Sequence, residues 1–93
     1  MDIGAELAAD EGTHMLLLKR VIPNSPVARA GLTDGLIVQR IGDVSTVNRT
    51  VPECANLIRG KAGTTVRLEV IDAHRLTTNT IELTREKFVL TKK

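Results

Sequence analysis

Ninety-three residues, 42% hydrophobic and 26% charged, leave room for one globular domain with one modest core. A single Phe with no Tyr or Trp makes that core aliphatic and argues against nucleic-acid binding by base stacking, and 13 basic against 11 acidic residues (net +2) are too small an excess to imply a phosphate backbone as partner. No apolar run is long enough for membrane insertion, no secretory signal pattern opens the chain, and Cys54, the only cysteine, has no internal disulfide partner.

Ile3–Ala9 is the first candidate strand, turned at Asp10-Glu11-Gly12. His14–Ile22 (HMLLLKRVI) is the second, and its apolar run predicts burial on both faces near the middle. Pro23, with no N–H to give a ladder, ends it. Ser25 is placed to cap a short helix over Ser25–Ala30, with Pro26 at the first position, where a missing N–H costs nothing. Val27, Ala28 and Ala30 supply its apolar face, and Gly31 closes it in the left-handed conformation. Asp34-Gly35 then turns the chain into a third strand, Leu36–Ile41; Gly42-Asp43 turns it again, and Val44-Ser45 forms a brief fourth.

A second helix starts at Thr50-Val-Pro-Glu53, where Thr at the cap and Glu three residues on make a capping box. Val51, Cys54, Ala55 and Ile58 recur at helical spacing, with Leu57 widening the stripe. Gly60 and Gly63 end this helix. Thr64–Ile71 alternates, Val66, Leu68 and Val70 facing one way and Thr65, Arg67 and Glu69 the other. Asp72–Thr78 is expected as a loop and Asn79–Thr84 as a strand, giving a hairpin with a fairly wide connection. The order β-β-α-β-(β)-α-β-β predicts an α+β, mainly β fold: a small, partly open antiparallel barrel or sandwich with two helices.

Most chemistry-bearing residues have plain readings. His14 and His74 are isolated, without a second Cys/His pair at metal spacing, so neither a metal nor a cofactor is expected. Ser25 and Ser45 read as cap and loop hydroxyls, and no G-x-S-x-G elbow surrounds either. Cys54 lacks an activating neighbour and reads as a packed or half-exposed thiol rather than a nucleophile. The RGKAGT run around Lys61 has only half of a phosphate loop and follows a helix instead of a strand. Arg85, Lys87, Lys92 and Lys93 read as a solvated face or junction. Val51, Ala55 and Ile58 are either ordinary core or one wall of a groove.

Two stretches decide between these. VIPNSPVARAGLTDGLIVQRI, from Val21 to Ile41, resembles the PGSPAxxAGL…GDxI signature of PDZ domains; IRGKAGTTVRLEV…IELTREKFVL resembles tail-specific (carboxyl-terminal processing) serine proteases. The resemblance runs from Ile3 to Leu90 and implies one PDZ domain over residues 1–93, its core over 3–90 and a tail at 91–93. It implies the circularly permuted bacterial type, with Asn79–Arg85 supplying the strand that other PDZ domains carry at their N-terminus. One departure is Leu36, where the family has Asp; Asp34 is expected to take over the turn-capping role.

The resemblance also implies a binding site without catalysis. PDZ domains hold the free C-terminus of another protein as an added strand. On that pattern Ile3, Gly4 and Ala5 cradle the terminal carboxylate, with Gly4 letting the peptide approach closely, and Ala5, Glu6, Leu7 and Ala8 form the pairing edge. Val51, Ala55 and Ile58 form the helical wall. Asp2 replaces the first glycine of the family loop and adds a negative charge beside it. Val51 stands where a His selects Ser or Thr in the ligand, which predicts a preference for apolar C-terminal peptides. The implied parent is a serine endopeptidase of the periplasm or cell envelope whose catalytic domain lies outside this chain, the start at Met1 reading as the edge of an excised piece. The competing parents are a trypsin-like or membrane-embedded envelope protease and a scaffold or secretion protein. A further reading has the groove filled by its own kind, Phe88–Leu90 of one copy pairing the edge strand of another in a weak homodimer.

Overall fold

The computed structural model describes residues 4–72 and 74–85. Its elements follow the predicted order: β1 (Ala5–Ala9), β2 (Leu16–Val21), α1 (Pro26–Arg29), β3 (Ile37–Ile41), β4 (Val44–Ser45), α2 (Val51–Ile58), β5 (Thr65–Asp72) and β6 (Thr77–Thr84). All strand pairs are antiparallel, in the order β1-β2-β3-β5-β6 with β4 beside β3, so the sheet stays open. Among the described residues β1 and β6 end this order.

Local chemistry sets most of the boundaries. At α1, the Ser25 hydroxyl accepts a hydrogen bond from the Ala28 N–H at 3.2 Å, with Pro26 in the first turn. The helix ends when Gly31, at φ +89°, donates to the Ala28 carbonyl and Leu32 donates to that of Val27. These two bonds form a Schellman close, which satisfies carbonyls the helix leaves open. In β5, Val66, Leu68 and Val70 are buried, as alternation required. With Leu16, Leu18, Val27, Val38, Ile41, Cys54, Ile58 and Leu83 they form the aliphatic core. Thr46, fully buried, ties two strands to it: its hydroxyl donates to the Val38 carbonyl at 2.6 Å and accepts from the Leu16 N–H at 3.2 Å.

Four expectations are corrected. β2 begins at Leu16, not His14, because the Asp10 carboxylate accepts from the N–H and hydroxyl of Thr13 (2.8 and 2.7 Å) and bends the chain through His14 at φ +61°. Nor is the strand buried on both faces: Leu16 and Leu18 are buried, while Leu17 on the other face is only half-buried. The β5–β6 connection is tighter than predicted, with pairing out to Asp72–Thr77. The Asp72 carboxylate accepts from the N–H groups of His74 and Arg75 (3.0 and 3.2 Å), an Asx-type turn that alternation does not reveal. Asp34, finally, caps a strand and not its own turn: its carboxylate accepts from the Val21 N–H at 2.7 Å and pins the end of β2.

Candidate functional site

β1 pairs with β2 along one edge only; among the described residues no strand covers the other edge. α2 lies against β1, so the free edge runs beside a helix. Opposite Glu6 and Leu7 the pairing register slips by one residue, at Lys19 in β2. Such a bulge increases local twist at the end of the strand nearest Gly4.

Gly4 has φ +84°, which a side chain strongly disfavours. A Cβ there would lie 2.0 Å from Ser25 Cβ, an impossible overlap. The Gly4 carbonyl accepts from the Ile22 N–H at 2.8 Å. The glycine is therefore demanded from inside the molecule, by the cap residue of α1, whatever approaches from outside. Ile3, expected beside it, lies outside the described residues.

The remaining predicted site residues divide by exposure. Ala5 and Ile58 are closed off, at 0% and 1%. They belong to the floor of the core. Leu7, Ala8, Val51 and Ala55 are half-exposed, and Glu6 is exposed. On α2 the predicted stripe thus splits into an inward line, Cys54 and Ile58, and a half-open line, Val51 and Ala55. Ordinary core thus describes Cys54 and Ile58, while Val51 and Ala55 keep part of their surface open. Burial pushes the Cys54 thiol above its ordinary pKa, which keeps it protonated and poorly nucleophilic.

α2 is held at both ends. At its start the Thr50 hydroxyl accepts from the Glu53 N–H at 3.2 Å while the Glu53 carboxylate accepts from the Thr50 N–H at 2.8 Å. That reciprocal bond lowers the pKa of Glu53, since it stabilises the charged form. At its other end, where the last turn carries no basic residue, Arg85 arrives from the end of β6. Its Nε donates to the Ile58 carbonyl at 2.7 Å and its Nη2 to the Leu57 carbonyl at 3.4 Å. Its Nη1 donates to the Thr64 hydroxyl at 3.0 Å and the Thr65 carbonyl at 3.3 Å.

Arg85 is thus no solvated residue. No sequence signal marks it, since Arg59 and Lys61 stand nearer the helix end and read equally well as its cations. Phe88–Leu90 and Lys87, Lys92 and Lys93 lie outside the described residues. Among the described residues no cluster of three or more His, Cys, Asp or Glu side chains could hold a metal ion, and no helix is long and apolar enough to cross a membrane.

The model of the PDZ domain family matches residues 2–71. The chain is 29% identical over 87 residues to carboxyl-terminal-processing peptidase 2, chloroplastic, of Arabidopsis thaliana, covering 94% of this chain and 16% of that protein. It therefore spans about one-sixth of that relative's length. A photosystem II D1 C-terminal processing protease has a TM-score of 0.84 at 22% identity, over 96% of this chain and 24% of that one. The PDZ domain of a carboxy-terminal protease from Vibrio cholerae, solved in complex with a peptide, has a TM-score of 0.83 at 22% identity, over 95% of both chains. At such identities the two structures establish the fold.

Proposed function

Since this chain belongs to the PDZ domain family, we propose that it binds the free C-terminus of another polypeptide as a strand added to β1. The observation that carries this reading is the edge of β1 beside α2, which no strand covers among the described residues, with half-exposed Leu7, Val51 and Ala55 on these two elements. An added strand supplies the backbone hydrogen bonds that an edge lacks. These apolar side chains supply selection. A carboxylate arriving near Gly4 meets the chain where β1 begins, so the ligand runs antiparallel to β1.

The backbone amides around Ile3, Gly4 and Ala5 hold the carboxylate. Ala5, Glu6, Leu7 and Ala8 pair with the ligand, and Val51, Ala55 and Ile58 face it. Because Ala5 and Ile58 are closed off, the ligand's last side chain rests over them and gains its burial mainly against Leu7 and the half-open line of α2. Val51 cannot donate a hydrogen bond, so the ligand residue two before the terminus is apolar. In the parent protein the domain serves as the substrate-recognition part of a tail-specific serine protease in the cell envelope. The domain binds; cleavage belongs to the rest of that protein.

The test is titration with a peptide ending in a free apolar carboxylate, against the same peptide as a C-terminal amide. The carboxylate form is expected to bind at least about ten-fold more tightly, from charge-assisted bonds to backbone N–H groups. Equal affinity would overturn the carboxylate cradle. Val51→His is expected to shift preference toward Ser or Thr two residues before the terminus, read in a peptide array.

A further inference from the structure

The geometry points to Arg85 as a positioning residue of the peptide groove, a role that rests on the peptide-binding reading above. The hydrogen-bond partners of Arg85 among the described residues lie at the end of α2 and at or just before the start of β5. It acts through α2.

A helix leaves its last carbonyls without partners, and a short helix frays at such an end unless something holds it. α2 has eight residues, no basic residue in its last turn, and an extended residue, Arg59, as its cap. The guanidinium of Arg85 supplies donors to this end, binding the Leu57 and Ile58 carbonyls on one side and Thr64 and Thr65 on the other. Its backbone is locked as well: the Arg85 N–H donates to the Thr64 carbonyl, and the Arg85 carbonyl accepts from the Gly63 N–H, both at 2.8 Å. The helix end is thereby fixed to β5 and the end of β6, at the other end of the strand order from β1.

Gly60 makes room for this arrangement. A Cβ there would come within 2.6 Å of the Arg85 Nε. Two residues earlier in the chain, Ile58 carries on one residue both the carbonyl that Arg85 holds and the buried side chain under the proposed ligand seat. Any movement of the guanidinium therefore moves the floor on which the ligand's last side chain rests. Arg85 sets how deep that seat is.

Three variants test this: Arg85→Ala, Arg85→Lys, which keeps the charge and loses the planar fork, and Gly60→Ala, which crowds the guanidinium without removing it. Each is titrated with peptides ending in free Leu and free Ala at a temperature where melting curves show it folded. The wild-type chain is expected to prefer Leu by about ten-fold or more, as burial of an aliphatic side chain requires. In Arg85→Ala and Gly60→Ala that preference is expected to fall below about three-fold, with Arg85→Lys between. The contrast between free carboxylate and amide is expected to survive in all three.

A purely structural role for Arg85 would lower melting temperatures and leave the Leu-to-Ala ratio of the folded protein unchanged; that result overturns the inference. Should Arg85→Ala fail to fold, Gly60→Ala and Arg85→Lys decide by the same ratio. Loss of the carboxylate-to-amide contrast in the wild-type chain would overturn the binding reading itself, and this inference with it.

Discussion

The two ends of α2 are secured by opposite strategies. The first is closed by residues within one turn of one another: Thr50 and Glu53 exchange hydrogen bonds across three positions. The last is closed from twenty-seven residues away, by a guanidinium at the end of β6. A local cap forms whenever the helix forms. A distant one forms only when β5 and β6 have paired and brought Arg85 to it, so the C-terminal end of α2, and with it the buried Ile58, depends on the whole fold. The proposed peptide seat lies between these ends, bounded by a part that needs only its neighbours and a part that needs the entire domain.

The sharpest way to break that contrast is at the side chains themselves. Ile58→Ala empties a site that is 1% exposed and is expected to cost about 2–5 kcal/mol in urea denaturation. Val51→Ala at the other end is expected to cost clearly less, because Val51 is already half-exposed. Equal losses would mean that the two ends share the core evenly. Arg85→Ala is next, at about 2 kcal/mol, since it leaves the Leu57 and Ile58 carbonyls without a charged donor in a partly buried place. Hydrogen exchange sharpens the same point: protection is expected to fall in the last turn of α2 and persist in its first.

The same contrast explains what could be read from the amino acids alone. Thr50, Pro52 and Glu53 announce the start of α2, and Ser25, Pro26 and Gly31 announce both ends of α1, because each acts on backbone within a few residues. Val66, Leu68 and Val70 reveal the inner face of β5 by alternation. Arg85 could not be read this way. Nothing near it in the chain distinguishes a helix clamp from a solvated cation, and its partners are gathered only by the sheet. Gly4 is a related case. The family loop marks it as a glycine, while the reason found here, contact with Ser25 twenty-one residues on, is tertiary. Asp34 and Asp72 were legible as turn residues, but which N–H each would reach was set by register.

At the locally built end the expected effects are smaller. Thr50→Ala removes the acceptor for the Glu53 N–H and is expected to cost about 1 kcal/mol in urea denaturation. The other half of the box titrates. The Thr50 N–H donates to the Glu53 carboxylate and holds its pKa below the ordinary glutamate value, so the folded state binds that proton less readily than the unfolded chain does. The stability this carboxylate contributes is therefore complete at neutral pH, starts to fade near the ordinary glutamate value of about 4.3, and is gone once the pH has dropped through the lowered folded value. Asp10, whose pKa is also lowered by its bonds to Thr13, adds a loss of the same sign in acid, so the wild-type profile alone cannot isolate Glu53. Comparison with Glu53→Gln does. The variant is expected to be slightly less stable than the wild type at pH 7, and the gap is expected to narrow as the pH falls below the ordinary glutamate value of about 4.3 and the wild-type carboxylate takes up its proton. A gap that stays constant across that range would mean that the charge of Glu53 contributes nothing and that the Thr50 hydroxyl holds the start of α2 alone.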